Sequence, residues 1–280
     1  MKSVISSLAI VPCLVAGLAA QAPQKSPQPT AAELSALDLL KASRAAIGGG
    51  EPKTIQSLAI SGAYRRGQQS SMMALSMDFS GRFLEEHTTM SNGGEIQRMG
   101  MTEDGPGSVG GGMPGDSGGP ALTSNVTEAL NGDTYWSKTG AGGTLSSGND
   151  ALKSSFRRIF IRYALAFALT PPENFPVTFA YMGRVESADG LIDTLEGKGA
   201  DNFQVRVFLN IKTHLPMMIQ YLSSQQGLQE VQLWLRDYKA EDGILVPHSL
   251  TWFTNGRVSE EFQVQKVKLN PRFPAGKFGK

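Results

Sequence analysis

Between Phe203 and Ile211 the apolar side chains fall on every second residue: Phe203, Val205, Val207, Leu209 and Ile211, with Gln204, Arg206, Phe208 and Asn210 between them. A strand places successive side chains on opposite faces, so this period offers one face to a core and the other to water. Leu58, Ile60 and Tyr64 repeat the pattern, and so do Val231, Leu233 and Leu235. Met73, Leu75, Met77 and Phe79 alternate with Ala74, Ser76 and Asp78. Turn signals stand at Asp189-Gly190, Gln226-Gly227, Asp242-Gly243 and Asn255-Gly256. The last suits a type I′ hairpin between residues 250–254 and 258–264. Regular hairpins with few helices predict a mainly β (α+β) chain built as one large curved antiparallel sheet or barrel.

Two segments have a helical period instead. Leu34, Leu37, Asp38, Leu40, Lys41 and Arg44 form a three-to-four spacing, opened near Thr30 and stopped by Gly48, Gly49 and Gly50, which predicts an N-terminal helix capping an apolar sheet face. Over 151–169, Leu152, Phe156, Ile159, Phe160, Tyr163 and Phe167 share one face while Lys153, Arg157, Arg158 and Arg162 gather elsewhere. Pro171 and Pro172 end this internal helix. Its apolar stretch is shorter than the roughly 20 residues of a membrane span. It reads either as a helix packed on the sheet or as a lid over a lipid-sized cavity, with its arginines near an anionic headgroup or membrane surface.

The start of the chain carries the marks of export. Lys2 precedes an apolar stretch from Val4 to Leu18, and Ala19, Ala20 and Ala22 supply small residues for cleavage after Ala20 or Ala22. Residues 1–22 are therefore read as a signal peptide and 23–31, rich in Pro and Gln, as a flexible linker. A single domain follows over 32–274, with a tail at 275–280. No transmembrane span is expected after cleavage, and the periplasm is the predicted location, with secretion as the alternative. The only cysteine, Cys13, lies in the signal behind Pro12, which excludes disulfides, thiol catalysis and a lipoprotein anchor at that position. With 26 Lys plus Arg against 25 Asp plus Glu, the chain is close to neutral, and no nucleic-acid partner is expected.

Chemical motifs are sparse. Gly115-Asp116-Ser117-Gly118-Gly119-Pro120 spells the serine-protease string G-D-S-G-G-P. It lies in a glycine-dominated run over 104–120 that is expected to be a disordered surface loop, where such strings arise cheaply. The only upstream histidine, His87, sits in a predicted strand without the context a catalytic base needs. A secreted hydrolase is accordingly a third reading. His214 and His248 lack a carboxylate cluster at metal-ligand spacing, so no metal site, cofactor or catalytic residue is assigned. Asn125-Val126-Thr127 matches a glycosylation sequon, a pattern common by chance. Trp136, Trp234 and Trp252 read first as core and second as walls of a ligand cavity.

Several strings resemble a known family. Leu130-Asn131-Gly132-Asp133-Thr134-Tyr135-Trp136 is similar to its recurring N/D-G-x-x-x-W strand, and Asp237-Tyr238, Asp242-Gly243 and Val246-Pro247-His248 are similar to a D-Y … D-G … x-P-H ending. Phe208 to Leu215 with Pro216-Met217 looks like a strand pair of secreted bacterial relatives. With the export signal and the two helices, these strings resemble the outer-membrane lipoprotein carriers, the LolA-like and LolB-like half-barrels. The resemblance implies a convex sheet around an apolar cavity that holds acyl chains, lined here by Met73, Met77, Met182, Met217 and Met218. The expected ligand-binding residues are Phe156, Phe160, Tyr163, Phe167, Met73, Met77 and Trp136. The function expected is a non-enzymatic carrier or sensor of a lipid, an acylated protein or another apolar ligand. The alternative is an envelope interaction module with a filled core and a protein partner.

Overall fold

In the computed structural model, which describes residues 35–48, 54–90, 123–140, 146–187, 190–223 and 229–279, hydrogen bonding runs almost wholly between strands adjacent in sequence. The stretches read as signal and linker, Cys13 and the glycine run with Ser117 lie outside the described residues. A first meander comprises β1 (Ser57–Arg66), β2 (Gln69–Asp78), β3 (Arg82–Met90), β4 (Thr123–Asn131), β5 (Thr134–Thr139) and the two-residue β6 (Ser146–Ser147). A second comprises β7 (Val177–Ser187), β8 (Gly190–Gly199), β9 (Gln204–Asn210), β10 (Pro216–Ser223), β11 (Gln229–Glu241), β12 (Ile244–Thr254) and β13 (Arg257–Leu269). Antiparallel pairing of β1 with β13 joins them into one 13-stranded sheet with β6 at one edge and β7 at the other. The sheet is open, not closed into a barrel.

The tight turns follow the residues that permit them. Asn255 and Gly256 both have positive φ, 52° and 74°, as a type I′ turn requires, and Asp242 and Gly243 do the same between β11 and β12. Gly62 sits where the β1–β13 register shifts, and a Cβ there would come within 1.9 Å of the Gln263 carbonyl oxygen. Only glycine allows that approach.

Helix α1 (Ala36–Ile47) has Ser35 as its N-cap, and Thr30, where its start was expected, lies outside the described residues. The Ser35 hydroxyl accepts from the Asp38 N–H and the Asp38 carboxylate accepts from the Ser35 N–H, a capping box. Leu39, Leu40, Ser43 and Ile47 are its buried stripe, while Leu37, expected on the apolar face, is 77% exposed. The second helix, α2 (Asp150–Ala168), is capped by Asn149. Leu152 in its first turn is also exposed, in contrast to its expected place on the packed face.

Connectivity decides where α2 lies. It joins β6 to β7, the two opposite edges, so it crosses the inner face of the sheet. Curvature is evident in the reach of one side chain. Arg157 of α2 meets Asp133 of the β4–β5 turn at 3.1 Å and Asp201 of the β8–β9 turn at 2.7 Å, although those strands are far apart in sheet order. From Phe160 to Leu169 every residue but Arg162 is buried. The C-terminal half of α2 is thus surrounded by protein.

Candidate functional site: the inner face and its mouth

Along β3 the inward-facing residues change character. Phe83 stands opposite Met77 on β2 and Leu130 on β4, and Leu130 opposite Tyr135 on β5, which makes an apolar floor. Two residues on, Leu75, Glu85 and Glu128 are in register; two further, Met73, His87 and Val126. The inner face therefore turns from apolar floor to polar mouth within four residues of one strand.

The floor is organised around Phe83. Its ring lies 5.0 Å from those of Phe156 and Phe160, the latter parallel within 1°, and 6.0 Å from that of Tyr163. Tyr163 also stacks on Phe167 and meets Trp252 of β12 edge-on, while its hydroxyl points at Met73 Sδ, 3.9 Å away. The structure thus brings together Phe156, Phe160, Tyr163, Phe167, Met73 and Met77 in one core cluster. Phe83, absent from the sequence-based set, is its centre. Its signal was masked because Phe83 and Leu84 are both apolar, so period two did not say which faced inward.

Trp136 does not join this group. It is in register with Ala129 and Leu84 on the outer face, where Phe278 and Phe273 cover it. Its indole N–H donates to the Phe278 carbonyl at 3.0 Å, and Lys277 pairs with Glu86 at 2.9 Å. Of the other expected lining residues, Met182 lies on edge strand β7 and is 53% exposed, and Met217 and Met218 are half-buried. Trp234 is half-buried beneath the Arg236 guanidinium.

The mouth holds two polar groupings beside Tyr163. On the β1–β4 side, His87 Nε2 lies 2.7 Å from Glu85 Oε1 and its ring meets Tyr64 at 4.9 Å. The Tyr135 hydroxyl donates to Glu128 at 2.5 Å. Burial pushes the Glu128 carboxyl up, against the opposing effect of that hydrogen bond, and the hydroxyls of Tyr64, Tyr135 and Tyr163 are raised first by burial as well. Ser71 Oγ sits 3.4 Å from His87 Nδ1, an approach to a nucleophile, base and carboxylate. Ser71 is in register with Tyr64 of β1, and the pairing of β2 with β3 begins one residue on, at Met72 and Thr88. On the β10–β12 side, the Arg162 guanidinium stacks 3.7 Å from the Tyr221 ring centroid, next to Trp252.

His248 is buried, with Nδ1 3.1 Å from the Val264 carbonyl, and His214 occupies a left-handed turn position. Among the described residues no group of three or more His, Cys, Asp or Glu side chains could hold a metal ion, and no helix is long and apolar enough to cross a membrane.

No protein-family model matches the sequence, and no curated protein matches it. Solved structures do. The crystal structure of a LolA superfamily protein from Nitrosomonas europaea superposes with a TM-score of 0.51 at 10% identity, over 89% of this chain and 99% of that one. A DUF1329 family protein from Desulfovibrio piger gives 0.44 at 8% identity, covering 86% and 94%. A domain ascribed to outer-membrane lipoprotein sorting in Vibrio parahaemolyticus gives 0.42 at 10% identity, covering 80% and 88%. The 13-stranded open sheet crossed on its inner face by a helix between its two edges is a LolA-like fold.

Proposed function

We propose that this protein is a non-enzymatic carrier of the bacterial envelope, exported to the periplasm, that holds the acyl chain of a lipid or acylated protein against the inner face of its sheet. The observation that carries this reading is α2. One helix, tied to the rest of the chain at the two edges of an open sheet, supplies the rings that cover an apolar floor made by strands pairing only with one another. Moving α2 breaks no strand pairing. An acyl chain that replaces Phe156, Phe160 and Phe167 on Phe83, Met73 and Met77 regains about 0.8 kcal/mol for each buried methylene. Methionines adapt to chains of different shape. The LolA-like fold supports the same reading, since half-barrels of the carrier family that the sequence resembles hold acyl chains in this concavity.

A second reading is an envelope interaction module, favoured by the completeness of the packing: Phe83, Phe160 and Phe167 are each 0% exposed. Native mass spectrometry with organic extraction of the mature protein from a bacterial envelope separates the two. A co-purifying phospholipid or acylated peptide supports the carrier. A ligand-free mass, with no uptake of added lipid, favours the module and makes capture of a protein partner the next experiment.

A further inference from the structure

The cations of α2 are not equivalent. Lys153 pairs with Asp150 at 3.1 Å, Arg157 with Asp133 and Asp201, and Arg158 donates to the Asp201 carbonyl at 3.4 Å. Arg162 pairs with no carboxylate among the described residues, and its Nε is buried without a hydrogen-bond partner. Glu260, the carboxylate that acts on Tyr221 across the mouth, is itself engaged by Arg66 at 3.6 Å and by the Tyr64 hydroxyl. A guanidinium drawn out of water without a counter-charge is costly, and burial pulls the Arg162 group down from its ordinary value. Its guanidinium carbon lies 3.7 Å from the Tyr221 ring centroid and the group also hydrogen-bonds with the Tyr221 side chain, so a cation–π contact and a neutral partner hold it while Nε is left without an acceptor.

Arg162 sits over Tyr221, which hydrogen-bonds with Trp252, and Trp252 meets Tyr163 edge-on, so its charge sits at the boundary between the apolar floor and the mouth. A chain that takes the place of the Phe156, Phe160 and Phe167 rings on the floor brings its polar end to this boundary. We propose that Arg162, stacked on Tyr221, is the seat of an anionic headgroup, so that the ligand is an amphiphile ending in a carboxylate or phosphate. The inference rests on the carrier reading and deepens it, because it names the charge of the ligand and the residue that selects it. Planar N–H donors suit a carboxylate or phosphate bound through two oxygens. Arg157 and Arg158, already engaged, contribute no comparable seat.

The test is calorimetric titration of the mature protein with decanoate, decyl phosphate, decanol and inorganic phosphate, each below its aggregation limit, repeated on Arg162→Gln and Arg162→Lys. The charged amphiphiles are expected to bind about tenfold more tightly than decanol. Arg162→Gln should erase that preference, and Arg162→Lys should keep only part of it. Melting curves of both variants verify that they fold. Equal affinity for decanoate and decanol in the parent, or a preference that survives in Arg162→Gln, overturns the assignment to Arg162 and leaves the carrier reading standing. Absence of binding by every ten-carbon chain overturns both. Inorganic phosphate that binds as tightly as decyl phosphate and depends on Arg162 overturns the headgroup, because the site then takes the free anion.

Discussion

The guanidinium Nε of Arg44, on α1, donates to the carbonyl oxygen of Leu169, the C-cap of α2, at 3.1 Å. The last turn of α2 has no basic residue of its own, so a cation from the other helix answers the Leu169 carbonyl and the negative end of the helix dipole. Leu169 is fully buried in a left-handed conformation. The contact joins the two helices 125 residues apart in sequence.

Arg44→Ala should therefore lower stability by about 1.5 kcal/mol, the value of a hydrogen bond to a charged group at a buried helix end. Urea unfolding reads this as a lower midpoint with unchanged slope. An unchanged midpoint would mean that water replaces the guanidinium without loss.

Phe160→Ala removes a ring stacked parallel on Phe83 and wholly out of solvent. The expected loss is about 4 kcal/mol, by analogy with other aromatic deletions from cores. A double-mutant cycle with Phe83→Ala should return a coupling of about 1 kcal/mol. Additive losses would show that the rings are neighbours without being partners.

Phe278→Ala tests the outer cluster. The Arg82 guanidinium lies 5.1 Å from the Phe278 ring centroid, and Phe278 covers Leu84, Ala129 and Trp136, so its truncation should cost about 3 kcal/mol. In a background with Trp234 and Trp252 changed to Phe, the emission of Trp136 should move to longer wavelength as water reaches the indole. Unaltered emission would place the tail's contribution elsewhere.

Two carboxylates should give opposite pH responses. Burial raises Asp78, but the Ser80 hydroxyl and N–H and the Arg82 guanidinium outweigh it, so its folded-state value lies below the unfolded one. Its contribution is present above the unfolded value and lost as pH falls through the folded one. Glu128 is raised, mainly by burial, so its contribution is present in acid and lost as pH rises through its folded value. Asp78→Asn should lower the melting temperature at pH 7 and flatten the acid limb of the stability curve. Glu128→Gln should raise the melting temperature at pH 7 and leave it nearly unchanged in acid. The reverse order of the two variants at pH 7 would refute the account of both sites.

Much of the architecture was legible because its causes are local. Period two at Phe203 to Leu209 and Met73 to Met77 reflects the pleat of a strand, and Asn255-Gly256 reflects the φ that a two-residue hairpin demands. The 3.6-residue period of α2 likewise located its ring stripe. Helix ends were less clear: a Ser35-Asp38 capping box competes with any upstream threonine, and only hydrogen bonding settles which one caps.

The sequence by itself determined a meander of strands with an aromatic helix inside it, because alternation, turn residues and helical spacing are properties of neighbouring residues. Tertiary structure alone decided which face each residue joined and which side chains met. Trp136 and Tyr135 are adjacent, yet one packs under Phe278 on the outer face and the other beside Phe156 on the inner. Arg157 finds Asp133 and Asp201 while Arg162 finds Tyr221, because the curl of the sheet brings distant strands to opposite sides of α2. No local pattern encodes that curl; it arises from the summed twist of thirteen strands and from the single helix that must cross between their edges.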